Sequence, residues 1–232
     1  MIKTEIKIET ADGAYGAYLA MPETSPAGGV IVIQEIFGVN DNIKDVANWL
    51  ATMGYLALAP DLFWRIEPNV SLSDQTEAEW QKAFALMNAF DGDKGVGDIQ
   101  AAITHLRTHP ACNGKIATIG FCLGGRLAYL AATRTDSDAN ISYYGVGLQD
   151  LLGEAKQISA PLVVHIAGRD EFVPPEAQAA IHAGLAAYPQ VQLYDYADQD
   201  HAFTRENGMH YDAPATQLAH GRSLEVLRQN LK

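Results

Sequence analysis

The chain has 232 residues, 48% of them hydrophobic, and a formal net charge of −12. Length and composition fit one globular domain with a full-sized core and argue against a disordered chain. No apolar run approaches the ~20 residues of a transmembrane helix, and a field of this sign repels nucleic acid and anionic membranes.

Residues 1–8 alternate like a strand and lack the continuous apolar core of a signal peptide, so the chain reads as cytoplasmic. A second strand follows across Ala11-Asp12-Gly13, where Asp-Gly signals a hairpin. Residues 29–35 form an apolar run ending in Gln34-Glu35, the pattern of a parallel strand buried on both faces. A helix is expected over 42–53, with Ile43, Val46, Ala47 and Leu50 on one face and Gly54 ending it. Residues 55–60 read as the next strand. Helices over 74–89 and 96–108 come next, then a strand over 115–120 and a helix over 123–133. Strands at 140–145, 161–167 and 191–196 alternate with helices at 174–187 and 214–231. Such alternation predicts a mostly parallel central sheet with helices on both faces, in a single domain spanning 1–232.

The densest chemical signal is Gly120-Phe121-Cys122-Leu123-Gly124, set between a strand and a helix. This is the setting of a nucleophile elbow, with sulfur in place of the usual serine oxygen. A sharp strand-to-helix turn holds its central residue at the tip, over backbone N–H groups that favour negative charge. The other cysteine, Cys112, precedes the turn Asn113-Gly114 and reads as structural; no disulfide is expected in a reducing compartment. Downstream of Cys122, Asp170 closes the strand at 161–167. His201 follows the strand at 191–196. Nucleophile, acid, then histidine is the chain order of an α/β-hydrolase triad, and all three lie just past strands, where open parallel sheets bind ligands. Asp198 and Asp200 lie nearer to His201 in sequence but read as turn residues. His165 lies mid-strand and reads as a core histidine. His105 and His109 are four apart on a helix but lack the third ligand of a zinc site, so no metal or other cofactor is expected. Glu35, at the end of a buried strand, is costly unless paired, which argues for a role.

The segments Gln34-Glu35-Ile36-Phe37-Gly38, Gly97-Asp98, Gly120-Phe121-Cys122-Leu123-Gly124-Gly125, Tyr143-Tyr144-Gly145, Gly168-Arg169-Asp170 and His201-Ala202-Phe203 arrive in the order of the dienelactone hydrolase family, which the chain resembles over nearly its whole length. The resemblance implies an α/β-hydrolase fold and a triad of Cys122, Asp170 and His201. It also implies that Glu35 is a fourth catalytic residue, accepting the proton of a resting neutral thiol when substrate binds. Backbone N–H groups of Ile36 and Leu123 would form the oxyanion hole. Known members open an unsaturated lactone that bears a carboxylate, which they grip with two arginines. Arg205 matches one of these; Trp80 stands at the other position and Phe84 where the family has a tyrosine. A bidentate arginine–carboxylate pair is not replaced by an indole, so a less anionic substrate is expected. Trp80, Phe84 and Met87 lie at helical spacing, as core residues also do. Phe37, Tyr143 and Phe172 adjoin motif residues and are expected to wall the pocket.

The expected activity is that of a carboxylic ester hydrolase, opening a small lactone or cleaving a small ester through an acyl-enzyme. The alternatives are a non-catalytic small-ligand binder on the same fold, and another acyl-transfer or dehalogenating enzyme. The expected partner is a small-molecule lactone or ester, with no nucleic acid and no membrane, and the protein is expected to be a monomer or weak homo-oligomer.

Overall fold

The computed structural model describes residues 1–232. Its eight strands form one sheet: β1 (Ile2–Thr10), β2 (Gly13–Met21), β3 (Ala27–Ile33), β4 (Leu56–Pro60), β5 (Cys112–Phe121), β6 (Ala139–Tyr143), β7 (Leu162–Ala167) and β8 (Val191–Tyr196). They lie in the order β1-β2-β4-β3-β5-β6-β7-β8. β1 pairs antiparallel with β2, and β2 antiparallel with β4; every other pairing is parallel. β3, β4, β6 and β7 are buried at every residue, as central parallel strands must be, whereas β1 is mostly exposed at its edge of the sheet.

Six α-helices connect or flank the strands: α1 (Asp41–Thr52), α2 (Glu77–Ala89), α3 (Gly92–Arg107), α4 (Leu123–Arg134), α5 (Pro175–Leu185) and α6 (Ala213–Asn230). The step from β3 to β4 runs one way across the sheet, and the step from β5 to β6 runs the other. Right-handed crossovers therefore put α1 and α4 on opposite faces. α3 packs against α4, while α6 joins α1, with the Trp49 and His220 rings stacked at 4.2 Å. The reversal of direction creates a crevice between the carboxyl ends of β3 and β5, the switch point where open sheets bind ligands.

The hairpin, the strands and the flanking helices lie where sequence patterning expects them, within a few residues. Two differences bear on the site. A 3₁₀ segment, Leu148–Gln157, follows β6 where no element is expected. α2 begins at Glu77 rather than at Asp74, because Thr76 is its N-cap and accepts from the Glu79 N–H. Glu79 in turn accepts from the Ser73 N–H at 2.8 Å and the Ser73 hydroxyl at 2.7 Å. This variation on a capping box leaves Asp74 in the loop before the helix.

Candidate active site

Cys122 sits at the carboxyl end of β5 as the N-cap of α4, with φ 57° and ψ −114°. That left-handed conformation strains a residue with a Cβ and persists only where the surroundings over-determine it. They do so here. A Cβ on Gly120 would lie 1.9 Å from the Gly124 carbonyl oxygen, and one on Gly124 would lie 2.4 Å from that of Ile33. Glycines on both sides thus let α4 start against β3 and β5. Leu123 is the first helical residue, so its N–H has no acceptor within the helix. Ile36 follows β3 across the crevice. Its neighbour Gln34 accepts from the Leu62 N–H at 3.0 Å and fixes the strand end.

His201 Nδ1 lies 2.7 Å from Asp170 Oδ2, and Asp170 Oδ1 accepts from the Phe172 N–H at 2.8 Å. Both residues are buried. His201 Nε2 is buried without a hydrogen-bond partner, and the ring borders the cavity that Cys122 also lines. Burial works against a charged ring; once Cys122 is ionised, its charge and the hydrogen bond to Asp170 outweigh burial and raise the His201 pKa to about 10, which favours the ring as the final holder of the thiol proton. The rival carboxylates are engaged elsewhere: Asp198 pairs with Arg169 at 2.7 Å and Asp200 with His210 at 3.7 Å.

Glu35 is fully buried, and its charge is met by Arg205. Arg205 Nε and Nη2 donate to the two Glu35 oxygens, each at 2.9 Å, and Nη1 donates to Asp74 Oδ2 at 2.8 Å. Burial opposes the guanidinium charge, but Glu35 more than offsets it and raises the Arg205 pKa. Arg205 was expected at the substrate, and it does reach the cavity. Its partners Glu35 and Asp74, however, were not legible at separations of 170 and 131 residues.

A cavity of about 170 Å³ opens over Cys122, His201 and Arg205. Its walls include Ile36, Phe37, Trp80, Phe84 and Phe172 from the expected set, together with Met87 and Val146. Phe84 and Phe172 are each 39% exposed and form the rim. The Trp80 ring meets Phe37 edge-on at 5.0 Å, and Phe172 meets His201 at 4.8 Å. Drug-sized ligands occupy roughly 300–1,000 Å³, so this cavity suits a small molecule. A larger open groove of about 500 Å³, lined by Tyr18, Lys44 and Asn69 among others, includes none of Cys122, Asp170 and His201.

Tyr143 is a correction. It was expected in the pocket wall, but it is fully buried away from the cavity, its hydroxyl 2.6 Å from Ser223 and its ring against His165. The residue that reaches His201 is Tyr144. A positive φ of 38° turns its ring to within 5.0 Å of His201. Tyr143 instead contributes its backbone carbonyl, which accepts from the Cys122 N–H at 3.1 Å. No cluster of three His, Cys, Asp or Glu side chains suitable for a metal ion occurs, and no helix is long and apolar enough to cross a membrane.

A mostly parallel sheet with a strained strand-to-helix turn at its switch point, and an acid and a histidine past the ends of β7 and β8, is the α/β-hydrolase fold. The model of the dienelactone hydrolase family matches residues 15–231, and the chain belongs to that family. The carboxymethylenebutenolidase of Pseudomonas putida is 39% identical to it, over 98% of this chain and 97% of its own. A chain of Azospirillum brasilense, provisionally assigned the same activity, is 45% identical over 98% and 99%. A crystal structure from Klebsiella pneumoniae, provisionally assigned as a dienelactone hydrolase, superposes with a TM-score of 0.87 at 27% identity, covering 98% of both chains.

Proposed function

We propose that this protein is a hydrolase that opens a small lactone or cleaves a small carboxylic ester, with Cys122 as its nucleophile. The observation that carries the reading is the placement of Cys122 and an unpartnered His201 Nε2 on one small apolar cavity, with Asp170 fixing the ring from behind. The activity of the named Pseudomonas putida relative supports it.

In this reading the thiol proton is accepted by Glu35 and relayed to His201 Nε2. The Cys122 sulfur then attacks the carbonyl carbon, and the oxyanion lies against the Ile36 and Leu123 N–H groups. Such a donor is worth about 2.7–4 kcal/mol in related acyl transfers. The tetrahedral species collapses by expelling the alkoxide, which takes the Nε2 proton and leaves a thioester on Cys122. Water gives a proton to His201 as its oxygen attacks the thioester. The second collapse releases the carboxylic acid, and the sulfur regains its proton from His201. The net reaction consumes one water.

Substrate is needed to free Glu35. Both of its oxygens are held by Arg205, and Arg205 also lines the cavity. A lactone or ester oxygen that accepts from one of the guanidinium's remaining N–H groups loosens its hold on Glu35 and exposes the base, with no charge on the substrate required. A thiolate formed only then is protected from oxidation between turnovers.

The test is turnover of p-nitrophenyl acetate with mass spectrometry of the quenched enzyme. Wild type should show a 42-dalton acetyl adduct on the peptide holding Cys122, and Cys122→Ala should lose adduct and turnover together. Turnover at the wild-type rate in Cys122→Ala would end this mechanism.

A further inference from the structure

Arg205 is held more tightly than one base requires. Of the five N–H donors of a guanidinium, three are engaged, two by Glu35 and one by Asp74. The side chains of Glu35, Arg205 and Asp74 are 0%, 9% and 11% exposed, and the trio carries one negative charge in excess. In such a setting charges are weakly screened. A carboxylate entering the cavity would therefore meet a cation that is already over-neutralised.

Asp74 is built into this position. Its backbone carbonyl accepts from the Trp80 indole N–H at 2.9 Å. Just before it in the chain, Ser73 is tied to Glu79 and the Leu72 carbonyl accepts from Asn40 Nδ2 at 2.9 Å. Trp80 thus does two things with one side chain: its ring faces the cavity, and its N–H fixes the loop that sets Asp74 on Arg205. No second cation compensates. Arg65 is paired with Asp12 and Asp98, and Lys82 with Glu67. The polar cleft outside Arg205 is lined by Asp41, Asp45, Glu79 and Glu206.

From this we infer that Asp74 is a specificity-determining residue. Held by Trp80, it occupies Arg205 and selects uncharged lactones and esters over those bearing a carboxylate. The inference rests on the hydrolase reading above for its substrates, but the charge selection itself can be measured without turnover.

Two matched pairs of probes test it. The esters p-nitrophenyl butyrate and p-nitrophenyl hydrogen succinate share a leaving group and chain length and differ by one carboxylate. Iodoacetamide and iodoacetate make the same comparison for alkylation of Cys122. Wild type should favour the neutral member of each pair by at least tenfold over the ratio found for a free thiol or for uncatalysed hydrolysis. Asp74→Asn, which keeps the shape and removes the charge, should shift both ratios toward the anionic member by tenfold or more, chiefly through KM for the esters. Asp74→Glu should restore most of the preference. A wild type that takes the succinate ester as well as the butyrate, or an Asp74→Asn ratio within twofold of wild type, overturns the inference. If neither ester is turned over, the hydrolase reading fails, and the alkylation ratios still decide the role of Asp74.

Discussion

Removing the Arg205 side-chain charge by Arg205→Met should destabilise the protein by about 3–5 kcal/mol. That is the usual consequence of leaving a buried ion without its partner. The site belongs in the upper part of this range, because Glu35 is fully buried and loses both of its charge-assisted hydrogen bonds at once. Asp74, 11% exposed, loses its guanidinium contact too but can turn toward water in the adjoining cleft. For a chain of this size 1 kcal/mol corresponds to roughly 2–4 °C, so the melting temperature should fall by roughly 6–20 °C. Urea denaturation at pH 7 measures the loss directly. The decisive comparison is the double variant Glu35→Gln with Arg205→Met. It removes the stranded charge, leaves an amide of the same shape, and should recover at least half of the loss. A single variant that loses less than about 1 kcal/mol, or a double variant no more stable than Arg205→Met, would refute the idea that a buried charge pair is what holds this corner together.

Other outcomes follow from the same geometry. Glu35→Gln should lower kcat for neutral esters much more than it raises KM, since an amide cannot accept the thiol proton; an unchanged kcat and pH profile would return Glu35 to a structural role. Asp170→Asn should cut kcat by roughly 10³–10⁴ by losing control of the His201 tautomer, and retention of more than a tenth of the activity would argue against the triad. Trp80→Phe keeps a ring in the wall but removes the N–H that binds the Asp74 carbonyl, so it should relax charge selectivity in the direction of Asp74→Asn. Selectivity identical to wild type would detach Trp80 from that role. Burial depresses the His220 pKa to about 4, below the ~6.5 of an unfolded chain, so between these values the unfolded state binds the extra proton and stability falls as pH falls. That contribution amounts to roughly 3 kcal/mol at most. His220→Phe, which keeps the stack on Trp49, should flatten the loss between pH 6.5 and 4; an unaltered acid profile would place the sensitivity elsewhere.

The steep parts of the sequence code were local. Apolar runs marked β3, β4 and, His165 apart, β7, as strands buried on both faces require, whereas β6 is buried throughout although its sequence alternates with Asn140 and Ser142. The elbow was legible for the same reason: a residue held at φ 57° between two close backbone approaches demands glycines at fixed offsets. The start of α2 was legible in principle as well. Thr76 and Glu79 have the spacing of a capping box, but helical periodicity ran on through Asp74 and obscured it.

Tyr143 and Tyr144 mark where local information ends. Adjacent residues of a strand point to opposite faces, and the sequence does not say which face holds the site. The pleat sends Tyr143 toward His165 and Ser223, and a left-handed residue at the strand's end sends Tyr144 to His201.

Sterics and periodicity over a few residues are enough to mark the elements, the strand-to-helix turn at Cys122 and the order of cysteine, aspartate and histidine along the chain. That Arg205 answers Glu35 and Asp74, at separations of 170 and 131 residues, is visible only in the packed chain. A buried charge takes as its partner whichever opposite charge the packed chain brings within hydrogen-bond reach, and that follows from the order of strands in the sheet and the loops above it, which no local pattern encodes.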